Sequence, residues 1–215
     1  MESASLVKPY YTKEGYDRIV VNDEYRIYGV FDGMGIGEDS KFASSVTSKF
    51  FATKADDIVN YESLVKILQQ ANNLVNRRPG AGTTATIVFI DQINQLHYAH
   101  VGDSRLYVYN NFRIKQITAD EGYSNILYNS IGHFDAKVCQ LGIIPEWDKF
   151  ILCTDGITGD TPEQWVSDTE LESIIAIAQS THNACISIMN LSKKNDDKSV
   201  IVVFKGKHDK TPQGN

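Results

Sequence analysis

Apolar and polar residues alternate with period two over Arg18 to Val21 and Tyr25 to Phe31, predicting two strands joined by the polar loop Asn22-Asp23-Glu24. Residues 1–12 show no clear period and contain Pro9, so they read as an irregular or edge segment. The period then lengthens. Phe42, Ala43, Val46, Phe50 and Phe51 recur at helical spacing, which predicts a helix from Ser40 to about Lys54, with Asp39 or Ser40 as its cap. A second amphipathic helix is expected from Glu62 to Asn76, stopped by Arg77-Arg78-Pro79-Gly80.

From Thr84 the pattern returns to short β-branched and aromatic runs: Thr84 to Ile90, Gln95 to Val101, Arg105 to Tyr109 and Arg113 to Ile117. Hairpin-type turns separate them, so one antiparallel meander is expected. Further along, Asn125 to Ile131 reads as helix, Lys137 to Leu141 and Lys149 to Thr154 as strands, and Pro162 to Val166, Glu170 to Gln179 and His182 to Ser192 as helices. A last strand covers Ser199 to Phe204. The expected organisation is a single domain over residues 1–204 with a polar tail over 205–215, and an α+β fold in which packed sheets carry helices outside.

Candidate chemistry lies where strands end. Val30-Phe31-Asp32-Gly33-Met34-Gly35, Val101-Gly102-Asp103-Ser104-Arg105 and Cys153-Thr154-Asp155-Gly156 each place an Asp beside a Gly after an apolar run, and Asn195-Asp196-Asp197-Lys198 precedes the last run. The antiparallel pairing of the first two strands also brings Asp17 to Asp32. Aspartates converging in this way suit a hard cation, because oxygen ligands are what such ions take. Each motif by itself is equally readable as a turn.

Composition narrows the partners. With 21 Lys plus Arg against 27 Asp plus Glu, the chain carries a formal charge of −6, which argues against nucleic acid or an anionic membrane. Cys139, Cys153 and Cys185 lie in apolar surroundings without C-x-x-C spacing, so buried reduced thiols are expected rather than zinc ligands. The first residues show no secretory pattern and no run is long enough to span a bilayer, giving the expectation of a cytoplasmic protein.

In order along the chain, Asp32-Gly33-Met34-Gly35, Gly82-Thr83-Thr84-Ala85, Val101-Gly102-Asp103-Ser104-Arg105, Cys153-Thr154-Asp155-Gly156 and Asp196-Asp197-Lys198-Ser199-Val200 resemble the motifs of the metal-dependent protein phosphatases of type 2C, the PPM family, in its compact bacterial form. The resemblance implies an α-β-β-α sandwich of two antiparallel sheets flanked by helix pairs. It implies hydrolysis of phosphoserine or phosphothreonine on proteins by a water bridging two ions, Mn²⁺ or Mg²⁺. Asp32, Asp155, Asp196 and Asp17 would form the catalytic centre, with Asp32, Gly33, Asp155 and Asp196 as ligands and Asp103 in the position of an additional ion. The partner implied is a phosphoprotein, the target of a Ser/Thr kinase, and a monomer is expected.

Several positions depart from the family pattern. Thr12 and Tyr16 stand where the family has a phosphate-gripping Arg and a metal-supporting Glu, with Lys13 and Glu14 as nearby substitutes. The Gly turn continues Ile36-Gly37 rather than Gly-His. The segment between Asp103 and Asp155 is short, reducing the flap to about Asp120 to Tyr128 and arguing against a third ion at Asp103. Two other readings remain: a degenerate phosphatase fold that binds a phosphoprotein without hydrolysis, and a partner-switching phosphatase with one dedicated protein substrate.

Overall fold

In the computed structural model, residues 1–123, 126–133 and 140–206 are described. The strands are β1 (Glu2–Lys8), β2 (Arg18–Asn22), β3 (Ile27–Phe31), β4 (Ala85–Ile90), β5 (Leu96–Val101), β6 (Arg105–Asn110), β7 (Arg113–Gln116), β8 (Gly122–Tyr123), β9 (Ile126–Leu127), β10 (Gln140–Ile144), β11 (Lys149–Cys153) and β12 (Lys198–Phe204). The helices are α1 (Glu38–Thr53), α2 (Tyr61–Val75), the single turn α3 (Asp155–Thr158), α4 (Asp168–Ile177) and α5 (Thr181–Leu191). Two antiparallel five-stranded sheets result, in the orders β1-β12-β11-β6-β7 and β10-β5-β4-β3-β2.

Strand alternation sorts the core into three layers. Val88 and Ile90 of β4 join Leu152 of β11 and Ile201 and Val203 of β12 between the sheets, with Tyr28, Trp147 and Phe150. The alternate residues Ile87 and Phe89 face α1 and α2 through Phe51, Leu64 and Leu68. On the far side, Ile151, Cys153, Val200 and Val202 face α4 and α5 through Leu171, Ile175 and Ile188. Both faces of the central strands are therefore buried, which explains their nearly continuous apolar runs.

The same two-sided burial hides sheet membership, and the single meander expected over 84–117 is corrected here. The β4–β5 hairpin belongs to one sheet and the β6–β7 hairpin to the other, the chain crossing at Gly102–Ser104. Of the two readings of residues 1–12, the edge one holds for the first part: β1 forms a seven-residue edge strand, Glu2 pairing with Phe204 and Lys8 with Lys198. Residues 162–164 form a turn rather than a helix. Where a helix was expected over 125–131, β8 and β9 form a two-stranded ribbon, with Glu121 accepting from the Gly102 N–H and from Asn129.

Helix α1 starts at Glu38 with Gly37 as its cap residue and no side-chain cap, while Ser40 donates to the Met34 carbonyl instead. The caps that do form are reciprocal boxes, Asn60 with Ser63 at α2 and Ser167 with Glu170 at α4. Cys153 and Cys185 are buried and free, as expected of reduced thiols. Cys139, the first part of the strand expected over 137–141, and the tail from 207 lie outside the described residues. Among the described residues no helix is long and apolar enough to cross a membrane.

Candidate metal centre

Strand register collects the aspartates at one end of the sandwich. Arg18 pairs with Phe31, so Asp17 and Asp32 flank the same edge of one sheet. In the other sheet Cys153 pairs with both Arg105 and Val200, which brings Asp155 beside the Asp103 turn and the 195–197 loop. A cleft of about 490 Å³ opens there, its wall including Asp32, Gly33, Asp103, Asp155, Asp160 and Asp196. Asp17 lies beneath it, 1% exposed. A larger groove of about 690 Å³ between α1 and α2 has one carboxylate, Asp57, already paired with Lys54. Its position away from the aspartate cluster sets it outside the chemistry.

Hydroxyl groups hold the Asp32 turn in place. The Asp32 N–H donates to Thr84 Oγ1 (2.9 Å), and the Asp32 carbonyl accepts from the Thr84 N–H (2.8 Å) and from Thr83 Oγ1 (2.7 Å). Thr84 Oγ1 also meets Ser104 Oγ at 2.8 Å, which ties this turn to the one carrying Asp103. Thr86 Oγ1 continues the ladder to His100 Nδ1 (2.8 Å) and the Ser104 carbonyl (3.0 Å). The Gly82-Thr83-Thr84-Ala85 motif thus serves to hold these turns together. Burial holds the His100 imidazole down to a pKa of about 4, so it is neutral within this network.

Glycine is required where backbones meet. A Cβ on Gly156 would lie 1.8 Å from the Asp197 carbonyl oxygen, so only Gly lets α3 start against the 195–197 loop. A Cβ on Gly33 would lie 2.6 Å from the Ser40 carbonyl oxygen, beneath the first turn of α1.

The two adjacent aspartates, Asp196 and Asp197, have different surroundings. Asp196 lines the cleft, while Asp197 is 2% exposed and accepts backbone N–H donors from Tyr10 (2.5 Å) and Tyr16. Asp197 therefore pins the 10–16 segment across the end of the sheet. Arg18 closes the same loop by donating to the carbonyls of Glu14, Gly15 and Asp17.

So many carboxylates in low-dielectric surroundings oppose their own ionisation. Burial, reinforced by Asp17 and Asp155, pushes Asp32 well above the usual carboxylate range. Burial also raises Asp17 to about 7, although Thr154 Oγ1 donates to its Oδ2 at 2.9 Å. Asp103 is raised to about 8 by burial, with Asp155 and Asp120 adding to it. Asp196 is raised by burial against the pull of Lys194.

Asp17 Oδ1 and Asp155 Oδ1 are buried without a hydrogen-bond partner, the state of an oxygen left for a cation. This all-oxygen donor set fits Mg²⁺ or Mn²⁺. Among the described residues, however, no three His, Cys, Asp or Glu side chains are already closed into a ligand cluster. On the Asp155 side the Lys194 ammonium sits between Asp155, Asp160 and Asp196. Neither Lys194 nor Asp160 was picked out from the sequence, although Lys193-Lys194 immediately precedes Asn195-Asp196.

The suggested substitutes for the missing Arg and Glu are not at the cleft. Glu14 is exposed and paired with Lys41 at 2.6 Å, and Lys13 is exposed as well. Tyr11 and Lys193 occupy the rim instead. Leu127 brings the shortened 120–128 segment to the cleft wall.

Comparison with known proteins agrees with this fold. The family described as Stage II sporulation protein E (SpoIIE) matches residues 22–204. The serine/threonine protein phosphatase PstP of Mycobacterium tuberculosis is 22% identical over 219 residues, covering 85% of this chain and 42% of that protein. This chain therefore spans less than half the length of that relative. The serine/threonine phosphatase stp of Listeria monocytogenes is 25% identical over 189 residues, covering 71% and 73% of the two chains. In fold, the PPM Ser-Thr phosphatase MsPP of Mycobacterium smegmatis superimposes with a TM-score of 0.78 at 18% identity, covering 96% of this chain and 99% of that one. PppA of Pseudomonas aeruginosa gives 0.77 at 20% identity, covering 94% and 96%. With the SpoIIE match running from β2 to the end of β12 and the sandwich shared with the PPM structures, this chain belongs to the type 2C (PPM) phosphatase family.

Proposed function

We propose that this chain is a metal-dependent protein phosphatase that hydrolyses phosphoserine or phosphothreonine on a protein substrate in the cytoplasm. The observation that carries the reading is the convergence of Asp17, Asp32, Asp103, Asp155 and Asp196 at one open cleft, in the family's motif order. The names of the Mycobacterium and Listeria relatives support the substrate class. Asp32, at a strand end fixed by the Thr83–Thr84 contacts, is proposed to hold Mn²⁺ or Mg²⁺ with the Gly33 carbonyl, while Asp155, set by the close approach at Gly156, and Asp196 form the facing half of the centre.

A bound divalent ion would supply a water of lowered pKa and a charge to stabilise the transferring phosphoryl group. The chain's own residues set the conditions for this. A phosphate dianion brought to a cleft walled by five carboxylates meets net repulsion unless cations are present, so substrate binding and cation binding go together. Lys193, exposed at the rim, is the chain's available cation for the incoming phosphate. Tyr11, half-exposed beside it, offers an aromatic wall and a hydroxyl. The cleft's opening to solvent suits a phosphorylated segment of a protein.

The test is phosphate release from a phosphothreonine peptide, with Mn²⁺ and with EDTA, by wild type and Asp32→Ala. Mn²⁺-dependent release abolished by the substitution is expected. Release that persists in EDTA or in Asp32→Ala sinks the reading. Activity on one phosphoprotein but not on generic phosphopeptides would select the dedicated-substrate form.

A further inference from the structure

The two halves of the aspartate cluster are not in the same electrostatic state. Asp17 Oδ1 and Asp155 Oδ1 are both buried without a hydrogen-bond partner, so the difference lies in the cation beside them. Around Asp155, the Lys194 ammonium lies 2.9 Å from Asp196 and 3.4 Å from Asp160, with Asp155 nearer still. The Lys194 side chain is 13% exposed, so this is an enclosed contact rather than a surface ion pair.

We infer that Lys194 is the built-in cation of the Asp155–Asp160–Asp196 half, and that the chain accordingly binds one divalent ion, at the Asp32 half, instead of two. The inference rests on the metal-dependent reading above and sharpens it. An ammonium has three N–H donors and no acceptor, and here three carboxylates from two loops meet it, so its donor capacity is matched. It is tethered two residues from Asp196, so it returns to the carboxylates as an intramolecular partner, at high effective concentration.

A divalent ion entering this half would have to displace that ammonium and assemble about six oxygen ligands where Asp155 Oδ1 is without a partner but the other Asp155 oxygen, Asp160 and Asp196 are engaged by Lys194. It would also push the Lys194 charge out beside Lys193, where like charges oppose each other. Around Asp17 and Asp32 no such displacement is needed. The asymmetry follows from one side chain, which makes it testable by one substitution.

The experiment is titration of the full chain with Mn²⁺ by calorimetry and by the loss of the free-ion magnetic resonance signal, for wild type, Lys194→Met and Lys194→Arg. Circular dichroism and a melting curve check that each variant is folded. The expected stoichiometry is one ion in wild type, two in Lys194→Met, and one in Lys194→Arg, which keeps the charge. Two ions in wild type, or no added ion in a folded Lys194→Met, overturns the inference and leaves the phosphatase reading standing. No ion in any of the three proteins overturns both.

Discussion

Asp196 and Asp197 are neighbours in sequence with different surroundings, and Asp197→Ala gives the sharper test. The Asp197 carboxylate accepts the backbone N–H groups of Tyr10 and Tyr16 and is 2% exposed. Hydrogen bonds to a charged group contribute about 1.5–3 kcal/mol each, and a buried donor left without a partner costs a similar amount. Because the two bonds share one acceptor and do not add fully, Asp197→Ala should lower stability by roughly 3–5 kcal/mol. The segment from Tyr10 to Tyr16 would lose its anchor. Urea unfolding gives the magnitude, and limited proteolysis locates it, with new cleavage expected near Tyr10 and Tyr11. Asp197→Asn, which keeps one acceptor oxygen, should fall between the two. A loss below about 1 kcal/mol, or cleavage elsewhere in the chain, would refute the assignment of Asp197 as an anchor.

Further expectations follow from the same geometry. Gly156→Ala, which puts a Cβ 1.8 Å from the Asp197 carbonyl oxygen, should cost about 3 kcal/mol or more in a melting or urea experiment, and near-neutral behaviour would contradict the close approach. Thr84→Val removes a hydroxyl that meets both Asp32 and Ser104, and should cost about 1–3 kcal/mol of stability while loosening Mn²⁺ binding measured by calorimetry. The His100 pKa is about 4 when folded, against 6.5 for the free side chain, so the unfolded chain takes up a proton first as pH falls. Its contribution is fully present above 6.5 and lost toward about 4, a span worth roughly 3 kcal/mol. The difference in urea stability between wild type and His100→Gln should narrow over that window, since titration of the aspartate cluster cancels in the difference. A gap that widens as pH falls would reverse the sign.

Legibility in the sequence tracked how local each constraint was. The strand ends bearing Asp32, Asp103 and Asp155 were readable because an apolar run, an Asp and a Gly lie within a few residues of one another. The strands from Ala85 to Gln116 were readable for the same reason, but their division between two sheets was not. Val88 and Phe89 are both buried, one between the sheets and one under the helices, so no polar face marks the side. Strand β1 was legible only as an irregular or edge segment, because Glu2, Ser3 and Ser5 give it little apolar character and its pairing with β12 spans nearly the whole chain. Residues 126–127 pair as strand where helix was expected because Glu121 and the Gly102 turn override a weak local preference.

At the proposed centre, the placement of the aspartates was more legible than that of the lysine beside them. Asp17, Asp32, Asp103, Asp155 and Asp196 do gather at one end of the sandwich. Lys194 was missed because a lysine before an acidic pair is ordinarily a solvated charge, and only the fold of the 192–197 loop turns it inward against Asp155 and Asp160. Asp197, read as part of the same motif, serves the N-terminal segment instead.

The most direct test of the central claim, that these aspartates form a cation centre, is anomalous diffraction from crystals of the full chain soaked in Mn²⁺. The expected result is a peak in the cleft within ligand distance, about 2.2 Å, of an Asp32 carboxylate oxygen, with Lys194 still against Asp155 and Asp196. A cleft without any anomalous peak, or a peak only at other carboxylates on the surface, would contradict it.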